Sequence, residues 1–451
     1  MDRHDLLDVA VIGGGVSGSA IAVALAAQAP AAFAAAIFDP APLGPGTAYA
    51  PQSASLLLNG PVRAMSAVPG DARHFARYLV DEPDDALICR ARYGSYLRAT
   101  AAAALAAHAG LRHVASEIVE IERSERGFAL RDRDGRAWLA RNVVFAMGNF
   151  APNASFLPEA VRTSPDFAND PWRVDVGRFG DGDLALFGSR LTAMDTVALL
   201  DERAFRGRIH LISRHGRTPF VEDPRVRGDA SVLSSLDTTT PARLLHTMRA
   251  VAARYPGDWR AIVEALRPVT AETWERWSLR ERRRFLRHLE SFWAIHRYRV
   301  PPATHAVFAR LRASGRVLVH AARITGAHAA ERGFTLELTH RGATRSLRVA
   351  GAINCTGPNA DLARVESSLV RDALVRGILV ADPLRLGVAV AADLRVLRDD
   401  GTSDPHAFAI GPLVRGRWYE TTAIPEITRH AAAIARELLR EHRITPSLEA
   451  S

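Results

Sequence analysis

Apolar positions recur along this chain in two rhythms, and the same sequence of rhythms occurs twice. Val9-Ala10-Val11-Ile12 is a short unbroken apolar run, followed by Gly13-Gly14-Gly15-Val16-Ser17-Gly18, an alanine-rich stretch, and Ala36-Ile37-Phe38-Asp39. Continuous runs of this length on either side of a small-residue helix read as a βαβ unit. Helical patterns follow near residues 71–79 and 93–107. Residues 118–122, 128–131 and 137–140 then alternate with period two around an Asp134-Gly135 turn, as antiparallel strands do. Residues 143–148 form another apolar run that ends in glycine. The order repeats from Leu184-Ala185-Leu186-Phe187 and Gly188 through Ile209-His210-Leu211-Ile212, an alternating meander over 317–349, and a run at 352–357 that again ends in glycine. Residues 241–298 are helical and rich in arginine and tryptophan. A last strand at 407–410 leads into Gly411, and a long helix follows Pro425.

This pattern predicts an α/β protein with two Rossmann-like dinucleotide-binding domains, one inserted into the other, each with an antiparallel meander. The expected boundaries are 1–175 for the first part of the outer domain and 176–345 for the inserted domain, with a helical insertion at about 236–302. Residues 346–445 complete the outer domain and supply the terminal helix.

The two strand–turn–helix junctions carry the chemistry. In the first, Gly13 permits the tight turn, Gly15 lets the backbone approach a pyrophosphate, and Gly18 allows close helix–strand packing, with Val16 and Ser17 opening the helix. A helix N-terminus carries about half an elementary positive charge, which favours the phosphates. Asp39, at the end of the second strand, is placed to bind a ribose diol. The second junction, Gly188-Ser189-Arg190-Leu191-Thr192-Ala193, ends at Ser213-Arg214 with the same spacing. Arg214 stands where the acid would be, and an arginine there suits the 2′-phosphate of NADPH; the alternative is a solvated surface arginine. Arg190 stands where a glycine is expected. Three readings stay open: a shifted NADPH pose with the guanidinium on the phosphate, an arginine folded away, or a degenerate site.

Composition narrows the chemistry further. All 58 basic residues among the 451 are arginine, and the net charge of +9 is dispersed, so phosphate-bearing cofactors explain it better than a nucleic-acid face. With no lysine, a pyridoxal Schiff base or a lysine nucleophile is excluded. The 2 cysteines, Cys89 and Cys355, form no C-x-x-C pair, which argues against a zinc site or redox dithiol and fits a reducing cytoplasm. Residues 9–38 are apolar enough to suggest a leader or membrane span. Asp2, Asp5 and Asp8 precede them and three glycines interrupt them, so no membrane association is expected. The histidines show no paired spacing with a nearby acid, and no metal site is expected.

Several blocks resemble a large bacterial group of FAD/NAD(P)-binding proteins, distant relatives of N-hydroxylating and Baeyer–Villiger-type flavin monooxygenases. They include Gly44-Pro45-Gly46-Thr47-Ala48-Tyr49, Leu57-Leu58-Asn59 and Tyr93-Gly94-Ser95-Tyr96-Leu97. Asp170-Pro171-Trp172, Leu191-Thr192-Ala193-Met194-Asp195 and Asn354-Cys355-Thr356-Gly357-Pro358 follow. The last are Gly411-Pro412-Leu413-Val414-Arg415-Gly416 and Glu420-Thr421-Thr422-Ala423-Ile424-Pro425. The resemblance implies FAD on the first junction, with Asp39 on its ribose. Gly46, Thr47, Asn59, Ile118, Gly148, Gly357, Gly411 and Thr422 would lie around it. Gly188, Arg190, Thr192, Ser213 and Arg214 would meet NADPH. Met147 and Arg190 depart from the group's pattern.

The resemblance further implies an FAD-dependent oxidoreductase in which NADPH reduces the flavin and O2 hydroxylates a small, amino-acid-like or anionic molecule. A flavin oxidase or dehydrogenase that no longer uses NADPH is the alternative, and a non-catalytic flavin-binding protein a third. Candidate catalytic residues are Asn59, His296, Arg297 and Glu420. In residues 274–299, Phe285, Leu289, Phe292, Trp293 and His296 share one face, which favours an amphipathic packing helix. The functional alternative has His296, Arg297 and Arg299 holding an anion in a cleft.

Overall fold

The computed structural model describes residues 6–50 and 53–444. The first unit contains β1 (Leu6–Ile12), β2 (Ala35–Phe38), β3 (Leu111–Val114), β4 (Ile118–Ser124), β5 (Gly127–Asp132) and β6 (Ala137–Phe145). The second contains β7 (Phe167–Ala168), β8 (Leu184–Phe187), β9 (Ile209–Ser213) and β10 (Val317–Ala321). It continues with β11 (Arg323–Ala329), β12 (Phe334–His340), β13 (Ala343–Val349) and β14 (Gly351–Asn354). The chain then returns to the first unit with β15 (Arg395–Leu397) and β16 (Ser403–Ala409).

The first sheet runs β15-β16-β6-β1-β2-β3, and β4 and β5 extend it as a hairpin from β6. β1 lies parallel to β2 and β6, with Val9 opposite Ala35 and Asn142. Helices cover this central part, so β2 is wholly buried and its sequence is continuously apolar. The period-two run at 137–140 and the apolar run at 143–148 were expected as separate strands. They are one strand, β6, whose start pairs antiparallel with β5 while residues 139–145 run parallel to β1. The change of rhythm marks the change of partner.

The second sheet, β10-β9-β8-β14-β7, is parallel throughout, and β11-β12-β13 is a separate antiparallel sheet. Residues 317–321 were expected in the meander. They follow the helix Pro302–Ala313 and cross over to lie parallel to β9, as a β-helix-β connection does. β7 and β14 extend the second sheet beyond the expected 176–345 span on both sides.

The helix Val16–Ala26 packs against the helix Arg90–Ala107 and the terminal helix Ile424–Ile444, which brings the end of the chain back to the first junction. The arginine-rich stretch is not one helix: Thr270–Arg276, Leu279–His288 and Glu290–Arg297 are separate. Trp274, Trp277 and Phe285 form its core together with Tyr419 from the C-terminal segment. Arg90 of the first unit pairs with Asp195 of the second at 2.5 Å. Among the described residues, no helix is long and apolar enough to cross a membrane, and no His/Cys/Asp/Glu group is placed to hold a metal.

Candidate functional site

The two junctions have the same local construction. Gly13 and Gly188 both adopt positive φ, +102° and +125°. A Cβ on Gly13 would strike the Ala146 carbonyl oxygen at 2.5 Å, and one on Gly188 the Cys355 carbonyl oxygen at 2.3 Å. Each glycine thus packs on the chain just beyond the neighbouring strand, two residues before Gly148 or Gly357. Around Gly148 and Gly357 a Cβ would meet nothing within 4 Å. Both strand ends therefore face open space, as a nucleotide groove requires.

Both junction helices also begin without a side-chain cap, at Gly15 and at Arg190, which leaves their first N–H groups for a phosphate. Asp39 accepts hydrogen bonds from the Gly14 and Ala41 N–H groups, at 2.7 and 2.8 Å, and is half-buried. Its remaining lone pairs suit a ribose diol. Gly46 lies against Gly15, and Gly411 against Ser17, so both segments expected near the first nucleotide reach its phosphate loop. Thr47 is exposed beside Gly46. These residues fit FAD. Ile118 is in the apolar core at the foot of β4 and lines neither cavity described next.

Between the units lies a cavity of about 370 Å³ whose walls include Asn59, Gly148, Gly357, Tyr298, Arg415 and Thr422. A second cavity, about 610 Å³, opens along the second junction over Gly188, Ser213 and Arg214. Its walls hold four guanidinium groups, Arg190, Arg214, Arg217 and Arg323, against the single carboxylate of Glu290. His215 joins them; burial and then Arg217, Arg214 and Arg323 hold its pKa below the usual histidine range. The two cavities share Arg190, Glu290, Cys355 and Thr356, so they adjoin. Thr192 lines the first of them.

Arg190 is turned toward the helical insertion. Its two terminal nitrogens bind both oxygens of Glu290 at 2.8 and 2.7 Å, so the pair stands on the boundary between the cavities. Burial raises the Glu290 pKa, but the bond and charge of Arg190, with the charges of Arg415 and Arg214, together outweigh this and keep it below the usual carboxylate range.

The other candidates divide. Asn59 is exposed on the first cavity's wall. His296 lies elsewhere, its ring packed on Phe220 and Trp259 and its Nδ1–H donating to the Phe292 carbonyl at 2.8 Å. It lines a separate apolar cavity with Phe285, Leu289, Phe292 and Trp293, the face expected to pack. Arg297 binds Glu420 through Nε and Nη2 at 3.0 and 2.9 Å and lies 3.6 Å from Glu264. Burial pulls the Arg297 pKa down, yet the two carboxylates outweigh it and raise it. Arg299 is likewise taken by Glu222 and Glu264, at 3.0 and 2.5 Å. The alternative in which His296, Arg297 and Arg299 hold an anion in a cleft does not hold: Arg297 and Arg299 belong to an internal ion-pair network in which each already has its carboxylates.

Sequence reasoning missed Glu290, Tyr298, Arg415 and Tyr419. Helical spacing held a signal for the first: Glu290 and Ala294 share the face opposite Phe292 and His296. Arg415 lay in the block at 411–416 without a role of its own, and nothing local marked Tyr419; both enter the cavity through the return of the chain.

Two nucleotide junctions of one construction, in a nested α/β chain, define the two-dinucleotide flavoprotein class of fold. Residues 10–150 match a protein family described as FAD-NAD(P)-binding. The fold is that of ornithine N-hydroxylase from Kutzneria sp. 744, solved with reduced FAD, NADP+ and L-ornithine (TM-score 0.66, 15% identity, 97% of this chain and 100% of that one). It is also that of ornithine hydroxylase from Pseudomonas aeruginosa (0.65, 17%, 96% and 99%) and bacillithiol disulfide reductase from Bacillus cereus (0.59, 14%, 97% and 99%). No curated protein matches the chain. FAD and a nicotinamide dinucleotide are the cofactors of this architecture.

Proposed function

We propose that the chain is an FAD-dependent monooxygenase reduced by NADPH and acting on a small molecule. The observation that carries the reading is the four-arginine groove on the second junction, which adjoins the flavin cavity at Arg190, Glu290, Cys355 and Thr356. Bound FAD would supply the hydride-accepting and oxygen-activating chemistry. Gly13, Gly15, Ser17 and Asp39 would hold it, with Asn59, Gly148 and Thr422 around its ring. Arg214 and its neighbours would neutralise the phosphates of NADPH, and Arg190 would bind the pyrophosphate once released from Glu290. The protein's part in oxygen transfer is to orient the substrate and exclude water.

Two observations at Cys355 weigh against a disulfide reductase. Burial pushes the Cys355 thiol up to about 12, so it is protonated at neutral pH, and its Sγ neighbours Thr196 rather than a second cysteine. One observation favours a flavin enzyme without NADPH: the Arg190–Glu290 pair stands where the two cavities meet.

Anaerobic titration of the yellow protein with NADPH and NADH, then air, tests these readings. The expected result is bleaching by NADPH, slower bleaching by NADH, and rapid reoxidation by air. Arg214→Ser removes charge-assisted hydrogen bonds worth about 1.5–3 kcal/mol, so KM for NADPH rises roughly ten- to a hundredfold while that for NADH barely changes. Bleaching by a substrate but by neither nucleotide would instead select the oxidase or dehydrogenase.

A further inference from the structure

The flavin cavity holds one guanidinium that no described carboxylate binds as an ion pair, although Glu290 acts on it from further away. Its charged walls are Arg190, Arg415 and Glu290, and Glu290 is committed to Arg190 through both oxygens. Arg415 forms no ion pair with any described carboxylate. Its guanidinium lies 5.0 Å from the centre of the Tyr419 ring. The buried Tyr419 hydroxyl sits beside it and has no other hydrogen-bond partner. Tyr298 lines the same cavity, and burial raises the pKa of both phenols, so both remain O–H donors at neutral pH.

The segment that presents these groups is fixed in place. Tyr419 adopts a left-handed backbone, φ +63°, which a side-chain-bearing residue keeps only where packing imposes it. Its ring stacks on Trp274 at 4.8 Å and meets Phe285 edge-on. Trp274 Nε1 donates to the Gly416 carbonyl at 2.9 Å, Arg417 binds Glu275 at 2.7 Å, and Glu420 is held by Arg297. A guanidinium enclosed in a wall and left unpaired is stabilised by a counter-ion that arrives from outside.

We propose that Arg415, with the hydroxyls of Tyr298 and Tyr419, is the receptor for a carboxylate on the substrate, so that this enzyme acts on small carboxylic acids. The inference rests on reading the cavity as the flavin cavity. The guanidinium fork matches the two carboxylate oxygens, and a single uncommitted positive charge matches a monoanion better than a phosphate dianion.

Calorimetry on the FAD-bound protein with acid and primary-amide pairs tests it: aliphatic acids, benzoate and benzamide, and several α-amino acids with their amides, with inorganic phosphate as a separate arm. The acids should bind about tenfold or more tighter than their amides. Arg415→Gln should bring each acid down to its amide, with the flavin spectrum and thermal midpoint unchanged, and Arg415→Lys should restore part of the difference. Equal binding of acids and amides, no binding by any acid, or an acid preference that survives Arg415→Gln overturns the proposal. Phosphate binding tighter than every acid overturns the choice of carboxylate. If the purified protein takes up no FAD, the flavin reading fails by itself, while calorimetry on the flavin-free protein still reports the carboxylate site.

Discussion

Arg190 is the residue at which the second junction departs from the first, and its energetics are open to measurement. The Arg190 side chain is 45% exposed, so its pair with Glu290 is worth about 1 kcal/mol or less despite two good hydrogen bonds. A pyrophosphate brings more negative charge to the same guanidinium and wins that exchange. Glu290→Gln removes the competitor and should lower KM for NADPH a few-fold, with kcat little changed. Arg190→Gly removes the phosphate partner and should raise it. Stopped-flow reduction of the flavin measures both, and faster reduction in Arg190→Gly would show instead that the arginine bars the nicotinamide. The neighbouring helix start needs no such exchange, because Gly15 carries no side chain to move.

Among elements, the helix Glu290–Arg297 works on two sides: Glu290 and Ala294 line the cavity between the units, while Phe292, Trp293 and His296 line an apolar one. Arg297 anchors its end to the C-terminal segment through Glu420, both groups being nearly buried. Removing one partner of a buried pair strands the other, so Glu420→Gln should cost about 3 kcal/mol, near the low end because Glu264 stays 3.6 Å away. Loss of thermal stability with the flavin spectrum preserved would identify the pair as structural; lost turnover at unchanged stability would return Glu420 to the chemistry. The elements of the two junctions were legible because each obeys a local rule, an apolar run, a glycine turn and a spaced acid or base. β6 was read as two strands because its sheet partner changes halfway, and residues 317–321 were assigned to the meander because alternation does not reveal a parallel neighbour. An anion cleft stayed open as an alternative for Arg297 and Arg299 because their carboxylates, Glu222, Glu264 and Glu420, come from three distant places in the chain.

At the scale of the molecule, a nested chain depends on its last helix, because Ile424–Ile444 closes over the first junction helix after the second unit has been completed. His430 on that helix is buried, its ring 4.7 Å from Trp418 and its Nδ1 unpartnered. Burial, and then Arg429, lowers its pKa from 6.5 to about 4. Above pH 6.5 the histidine is neutral folded and unfolded, and its share of stability is fully present. As pH falls from 6.5 toward 4 only the unfolded chain takes up the proton, and stability drops by about 1.4 kcal/mol per unit. His320, lowered to about 4 by burial and then by Arg345 and His210, acts in the same sense but is partly exposed. Asp195, raised to about 6 by burial against the pull of Arg90, acts oppositely: stability returns as pH falls through 6 toward 3.8. His430→Gln keeps both of these groups, so the difference between variant and natural chain isolates His430. Between about pH 7.5 and about pH 5, Tm should fall distinctly less in the variant than in the natural protein. Parallel losses in the two would mean that the terminal helix does not carry the acid sensitivity of the fold.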